Sequence, residues 1–262
     1  MVGIILSISL FTGESPVLLL SGLGALSAVL LLVFQDTILA LVASAQIAIN
    51  DLVKEGDWLE VPSYDADGEV TNMSLNSIKI QNWDNTFTVI PTHKLMETSY
   101  KNWRGMSQSG GRRIKRSLYL DIQSIHFCTP EDLEHLRQIP LLKDFIERRG
   151  WEPKGGEPVA AIKITPRLTN VAAFTAYVDA YLRQRPDLRK DMTILVYQLD
   201  PGPTGLPIEI YAYSNTIEWE PFEAVQANIF DHLLATIPEF GLRVFQQPSG
   251  RDFTALTDQT SD

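Results

Sequence analysis

The chain has 262 residues, 32 acidic against 22 basic side chains, a formal net charge of −10 and one cysteine, Cys128. That length holds a membrane segment and one or two soluble domains. The acidic balance speaks against a nucleic-acid partner, and a single cysteine excludes an internal disulfide framework and fits a reducing compartment.

Residues 1–11 carry no charge and run into the polar turn Thr12-Gly13-Glu14-Ser15-Pro16. A signal peptide is one reading, but it lacks a basic n-region and a cleavage-type ending. The preferred reading is a hairpin: the end of one membrane helix, a turn at one surface, then the next helix. On that reading the chain begins partway through a membrane helix and is a fragment, or the ordered part, of a longer protein. From Ser15 to Gln35 there is no charged side chain. A helix of that length rises about 30 Å, the thickness of a hydrocarbon core. Small residues crowd its middle, with Ser21, Gly24 and Ala25 as the expected helix-packing seam. No Lys or Arg precedes Lys54, so the C-terminal side is expected in the cytoplasm.

Asp36 suits the cap of a new helix starting at Thr37, so a bend is expected there. The following stretch to Asn50 repeats Ile38, Leu41, Val42, Ala45 and Ile49 at helical spacing. It is expected to lie along the membrane surface. A carboxylate deep in lipid is costly, which places Asp36 near the interface or a water-filled space.

Residues 51–104 read as a small all-β module. Strands are expected at Trp58–Val61, from Gly68, at Ser77–Asn82 with Ile78 and Ile80 on one face, and at Thr86–Ile90, with a hairpin turn at Trp83-Asp84-Asn85. A Gly, Ser and Arg-rich loop, Gly105–Arg113, separates it from a mixed module. There the order is strand Arg116–Gln123, helix Pro130–Arg149, strand Val159–Thr165 and helix Asn170–Gln184. Strands Met192–Leu199 and Ile208–Tyr213, helix Pro221–Ile237 and strand Leu242–Phe245 follow. Two helices on one sheet suggest an α+β sandwich. The resulting boundaries are 1–50 transmembrane, 51–108 β, 109–250 α+β and 251–262 a polar tail.

A small-residue membrane helix is followed by Gly56-Asp57-x-Leu59-x-Val61, Gly68-x-Val70, Asn85-Thr86, Ile90-Pro91, Leu95 and Asn102-Trp103. This order resembles the small-conductance mechanosensitive channel (MscS) family, most closely its YbdG-like miniconductance branch. The resemblance runs from Gly22 to Arg104, and more weakly from Leu118 to Pro248. It implies a homoheptamer with a central pore lined by the last membrane helix, a hollow cytoplasmic chamber, an Sm/SH3-like β domain and a ferredoxin-like α+β domain. The chain departs from the family where Leu30, Leu31 and Leu32 replace a Gly/Ala pattern, at Asp36 where relatives carry glycine, at Thr92, and in an extra segment near 152–185.

Aligned with the family, Ala28 and Leu32 fall where its two apolar constriction rings lie, and an apolar ring closes a pore by dewetting. The competing reading turns Leu32 to lipid or to a neighbouring helix. Asp36 is a plain helix cap, or one of a ring of carboxylates that attracts cations, or both. Arg104, Arg112, Arg113, Lys115 and Arg116 form a basic patch that is more readily a solvated loop than a lipid or ion site. Four histidines lack metal spacing, and neither a phosphate-cradling loop nor a catalytic carboxylate pair is present. The expectation is therefore no enzyme, cofactor or metal. It is a tension-opened ion channel of a bacterial inner membrane that relieves hypoosmotic shock, with lipids, inorganic ions and further copies of itself as partners. The rival is a membrane-anchored structural or osmotic-sensing protein of the same fold that conducts little.

Overall fold

The computed structural model describes residues 9–11, 13, 15–149 and 167–247. The expected strand Val159–Thr165, residues 1–8 and the tail 251–262 lie outside the described residues. The chain divides into two compact units, Met1–Gly105 and Met106–Asp262.

In the first unit Gly13, at φ 74°, donates its N–H to the Ser9 carbonyl (2.9 Å). Helix α1 then runs without interruption from Pro16 to Ile49. Pro16 sits at the start, where its missing N–H costs nothing. The Ser21 and Ser27 hydroxyls donate to carbonyls of the preceding turn (2.9 and 2.8 Å). Here the structure corrects the sequence reading, because the helix does not break at Asp36. Capping requires an extended backbone, whereas Gln35, Asp36 and Thr37 all stay helical. Neither Gly nor Pro occurs between Ala25 and Ile49, and aspartate alone costs a helix less than about 1 kcal/mol. The break comes at Asn50 and Asp51, the latter at φ 52°.

Five antiparallel strands follow: β1 (Trp58–Val61), β2 (Ala66–Met73), β3 (Ser77–Asn82), β4 (Phe87–Pro91) and β5 (Lys101–Asn102), in spatial order β4-β3-β2-β1-β5. Alternation puts Leu59, Val61, Val70, Ile78 and Ile80 into one core with Ile90 and Leu95. The Trp83-Asp84-Asn85 turn forms as expected, with Asn85 at φ 67° and the Asp84 carboxylate accepting from the Thr86 N–H (2.9 Å). At Gly68 strands β2 and β3 approach so closely that a Cβ would stand 1.9 Å from the Gln81 carbonyl oxygen. A short helix, α2 (Thr92–Glu97), lies between β4 and β5 and packs against α1.

Helix α3 (Arg104–Ser109) holds the boundary between the units, and β6 (Arg112–Leu120) follows in the second, where a loop was expected up to Arg113. The charges of that stretch hide an inward alternation of Ile114, Leu118 and Leu120. Strand β6 pairs along its whole length with β8 (Leu206–Ser214), and β8 with β7 (Leu195–Gln198), giving the order β6-β8-β7 among the described residues. The helix expected over Pro130–Arg149 is split into α4 (Pro130–Arg137), a 3-10 turn Pro140–Leu142 and α5 (Lys143–Arg149). Pro140 lacks an N–H and its ring crowds the preceding turn. Thr129 and Asp132 form the reciprocal capping box that starts α4. Helix α6 (Asn170–Gln184) has the expected bounds, and α7 runs from Trp219 to Thr236. The last expected strand reduces to a single bridge, Leu120–Val244. Phe174, Leu182, Ile229 and Leu233 of the two long helices share a core with Ile208, Ile210 and Ala212 of the sheet.

Candidate pore helix and its anchor

Helix α1 is about 51 Å long at 1.5 Å per residue. Its uncharged part, Pro16 to Gln35, is bare: Leu32 is 72 % exposed, and no residue of that part is buried. Among the described residues it is the single helix long and apolar enough to cross a membrane. Such a surface needs lipid or other helices around it.

At about 100° per residue, the helix is sorted by side-chain size. Ser21, Gly24, Ala25, Ala28 and Leu32 fall within one arc of about 100°, and Leu23, Leu26, Leu30 and Phe34 fall on the opposite side. A Cβ added at Gly24 would meet nothing within 4 Å, so space is open along this face. The residues expected to pack helices and those expected to constrict a pore thus share one face. Asp36, exposed, continues that face one turn beyond Leu32. Lowering it from a cap to a mid-helix position leaves its carboxylate without the backbone N–H partners expected of it.

The C-terminal part of α1 is held differently. Ala40, Ala43 and Ile47 are buried, and Ile47 joins the core of Leu59, Ile80 and Leu95. The Ser44 hydroxyl donates to the Leu75 carbonyl (2.6 Å). Where the helix ends, Arg104 reaches across. Its Nε donates to Asp57 Oδ1 (2.8 Å) and its Nη1 to the Asp51 carbonyl (3.0 Å), and a further charge-assisted bond joins Nη2 to Asp57 Oδ2. Asn102 completes the clasp by donating to the Leu52 carbonyl (3.0 Å) and to Asp57 Oδ2 (2.9 Å). Asp57 is 6 % exposed. Burial alone would raise its carboxyl, but the Arg104 guanidinium, the Asn102 amide and the Lys54 N–H outweigh burial and hold it below its usual value. A tryptophan cluster abuts the clasp: Trp58 stacks on Trp103 (4.8 Å) and meets Trp83 edge-on (5.2 Å), and Asp67 accepts from the indoles of Trp58 and Trp83.

Sequence reasoning missed this clasp. Asp57 and Asn102 served only as family markers, and Arg104 was placed in the basic patch. The available signal was a lone carboxylate at the start of an apolar strand, with an amide and a guanidinium closely spaced at the other end of the module. The rest of the patch also divides. Arg112 and Arg116 stack on Phe222 and Phe230, each at 4.5 Å, Arg113 lies over Tyr211 (5.9 Å), and Arg113, Lys115 and Arg116 are exposed. Cys128 is buried, and burial pushes its thiol up to about 11, so it stays protonated.

Residues 36–105 match the family model described as the beta-domain of mechanosensitive ion channels. An uncharacterised MscS-family protein of Helicobacter pylori is 20 % identical over 225 residues, which cover 84 % of this chain and 32 % of that protein. The small-conductance mechanosensitive channel MscMJ of Methanocaldococcus jannaschii is 31 % identical over 102 residues, 39 % of this chain and 28 % of that protein. The chain therefore spans about a third of the length of these curated relatives. The closed-state crystal structure of Helicobacter pylori MscS shares the fold, with a TM-score of 0.56 at 14 % identity over 94 % of this chain and 76 % of that one. So does the cryo-EM structure of Arabidopsis thaliana MSL1, with a TM-score of 0.61 at 13 % identity over 90 % of this chain and 66 % of that one. Residues 36–105 thus carry a beta-domain like that of mechanosensitive ion channels, and the chain shares its fold with MscS-type structures.

Proposed function

We propose that this chain is the pore-forming part of a tension-gated ion channel that protects a bacterium against hypoosmotic shock. The observation that carries the reading is α1 itself. It is a bare, uncharged span about as long as the hydrocarbon core is thick, with a face of mostly small residues on one side, and its far end is clasped to a domain of the matched family. One such helix cannot enclose a pore, so several copies form a ring, seven on the family resemblance. Ser21, Gly24 and Ala25 are the seam between neighbouring helices, and Ala28 and Leu32 the dry constriction. All Lys and Arg residues follow α1, with Lys54 the first, which supports a cytoplasmic side for the two folded units in an inner-membrane channel.

Tension favours the state with the larger in-plane area. The helices tilt apart, the ring at Leu32 widens and water enters. Ions then pass without chemistry, and Asp36 on the same face adds one carboxylate per subunit to the mouth. The leucine run at 30–32 favours a second reading, a sensing protein of the same fold that conducts little; the miniconductance, YbdG-like branch rests on the family resemblance alone. Survival of a channel-deficient bacterium after osmotic downshock tests the function. Rescue by this protein is expected, and survival no better than an empty control counts against it.

A further inference from the structure

One stripe of α1 serves two surroundings in turn. Asp36 lies within about 40° of Ala40, Ala43 and Ile47 around the helix axis, and these three are the buried residues of the helix. Leu32, one turn earlier, lies about 40° from Asp36 on the other side. Asp36 therefore stands at a junction. There the stripe proposed to line the pore passes into the stripe that docks on the β strands.

Helix α2 packs against α1. It buries Thr92 and Leu95 and leaves Lys94 and Glu97 exposed. In this state Lys94 Nζ rests 2.8 Å from Glu97 Oε2. The Lys94 ammonium is held above its usual value, by Glu97 most of all and to a smaller extent by Tyr64 and by Asp36. Each other cation of the first unit has a partner of its own: Lys54 pairs with Asp51, Lys101 with Glu60 and Arg104 with Asp57, and Lys79 lies over the Phe87 ring. Lys94 is the cation that faces Asp36. Its pair with Glu97 is exposed on both sides, and such pairs hold loosely, so Lys94 divides between the two carboxylates.

We propose that Lys94 is the counter-charge of Asp36 and, restrained by Glu97, sets the net charge that the pore mouth presents to passing ions. Carboxylates around a mouth concentrate cations and repel anions. An ammonium beside each carboxylate weakens that field. Glu97 limits the weakening, because it holds Lys94 back. The inference rests on the proposed channel, whose mouth Asp36 occupies, and names two residues outside the membrane helix as determinants of its ion preference.

The test is the reversal potential of stretch-activated currents of the full chain in a potassium chloride gradient. Lys94→Gln should raise the potassium-to-chloride permeability ratio at least about twofold, the scale of one unit charge per subunit acting through water and salt. Glu97→Gln should move the ratio the opposite way, and Lys94→Arg should leave it as in the parent. In an Asp36→Asn background Lys94→Gln should have no effect. Lys101→Gln, whose cation pairs with Glu60, is the control and should change nothing. An unchanged ratio in Lys94→Gln, a shift that survives Asp36→Asn, or an equal shift in Lys101→Gln would overturn the proposal and leave the channel standing. A protein that passes no current would refute the channel. The pairing is then read without current, by bridging Asp36→Cys and Lys94→Cys with a short bismaleimide in detergent. Cys128 is buried and protonated and stays in place. One linker per monomeric chain by intact mass is expected, and two singly capped thiols would overturn the pairing.

Discussion

Arg104→Ala opens the clasp between the end of α1 and the β strands. It removes two bonds to Asp57 and one to the Asp51 carbonyl and leaves the nearly buried Asp57 carboxylate with only Asn102 and the Lys54 N–H. Removing one partner of a fully buried ion pair costs about 3–5 kcal/mol. The Arg104 side chain is still 21 % exposed, so water recovers part of this, and about 2–3 kcal/mol is expected. Lys101→Ala is the control. Its pair with Glu60 is open to solvent on the lysine side (65 % exposed) and should contribute under about 1 kcal/mol. Trp58, Trp83 and Trp103 beside the clasp report unfolding of the first unit by fluorescence in detergent. The sign of the pH dependence follows from Asp57, whose folded value lies below its unfolded one. Its contribution is therefore present above the unfolded carboxylate value of about 3.9 and is lost as pH falls through the depressed folded value. The gap between parent and Arg104→Ala should be constant near neutrality and should close below about pH 4. Equal stability of the Arg104→Ala and Lys101→Ala proteins at neutral pH would refute the clasp as an energetic anchor.

Leu32→Ser should lower the opening tension in patch recordings and slow growth, because a hydroxyl in every subunit helps water stay in the constriction. Leu31→Ser, about 100° away on the helix, should leave the threshold alone, and a shift in Leu31→Ser only would mean the wrong face of the right helix. Ile47→Ala, which empties a site 2 % exposed beneath the end of α1, should cost about 2–4 kcal/mol of first-unit stability by the same fluorescence measurement. Gly68→Ala should prevent a native β2–β3 pairing, since its Cβ would stand 1.9 Å from the Gln81 carbonyl oxygen. Native-like melting of that variant would show that the strands part without penalty.

Local signals carried much of this fold. The uncharged run to Gln35, the Ile78/Ile80 alternation, the Trp83-Asp84-Asn85 turn and the Thr129 cap each depend on neighbours within a few residues, and each takes the expected form. The errors came from local signals overruled by context. Asp36 has the chemistry of a cap, but the helix on either side gives no reason to stop. Pro140 was visible in the sequence and still counted as helix interior. The charges of β6 concealed a strand that β8 stabilises from nearly a hundred residues away in sequence. The clasp was illegible for the same reason, since Asp57 and Arg104 are brought together only when β5 closes on β1.

The central claim is that α1 lines a pore opened by tension. Suction applied to excised patches from cells that lack their own stretch-activated channels and make this protein tests it most directly. The account predicts discrete current steps that appear above a threshold tension, vanish when tension is released, and shift to lower tension in Leu32→Ser. Patches that stay silent up to rupture, with the protein shown to be in the membrane as a ring, would contradict it.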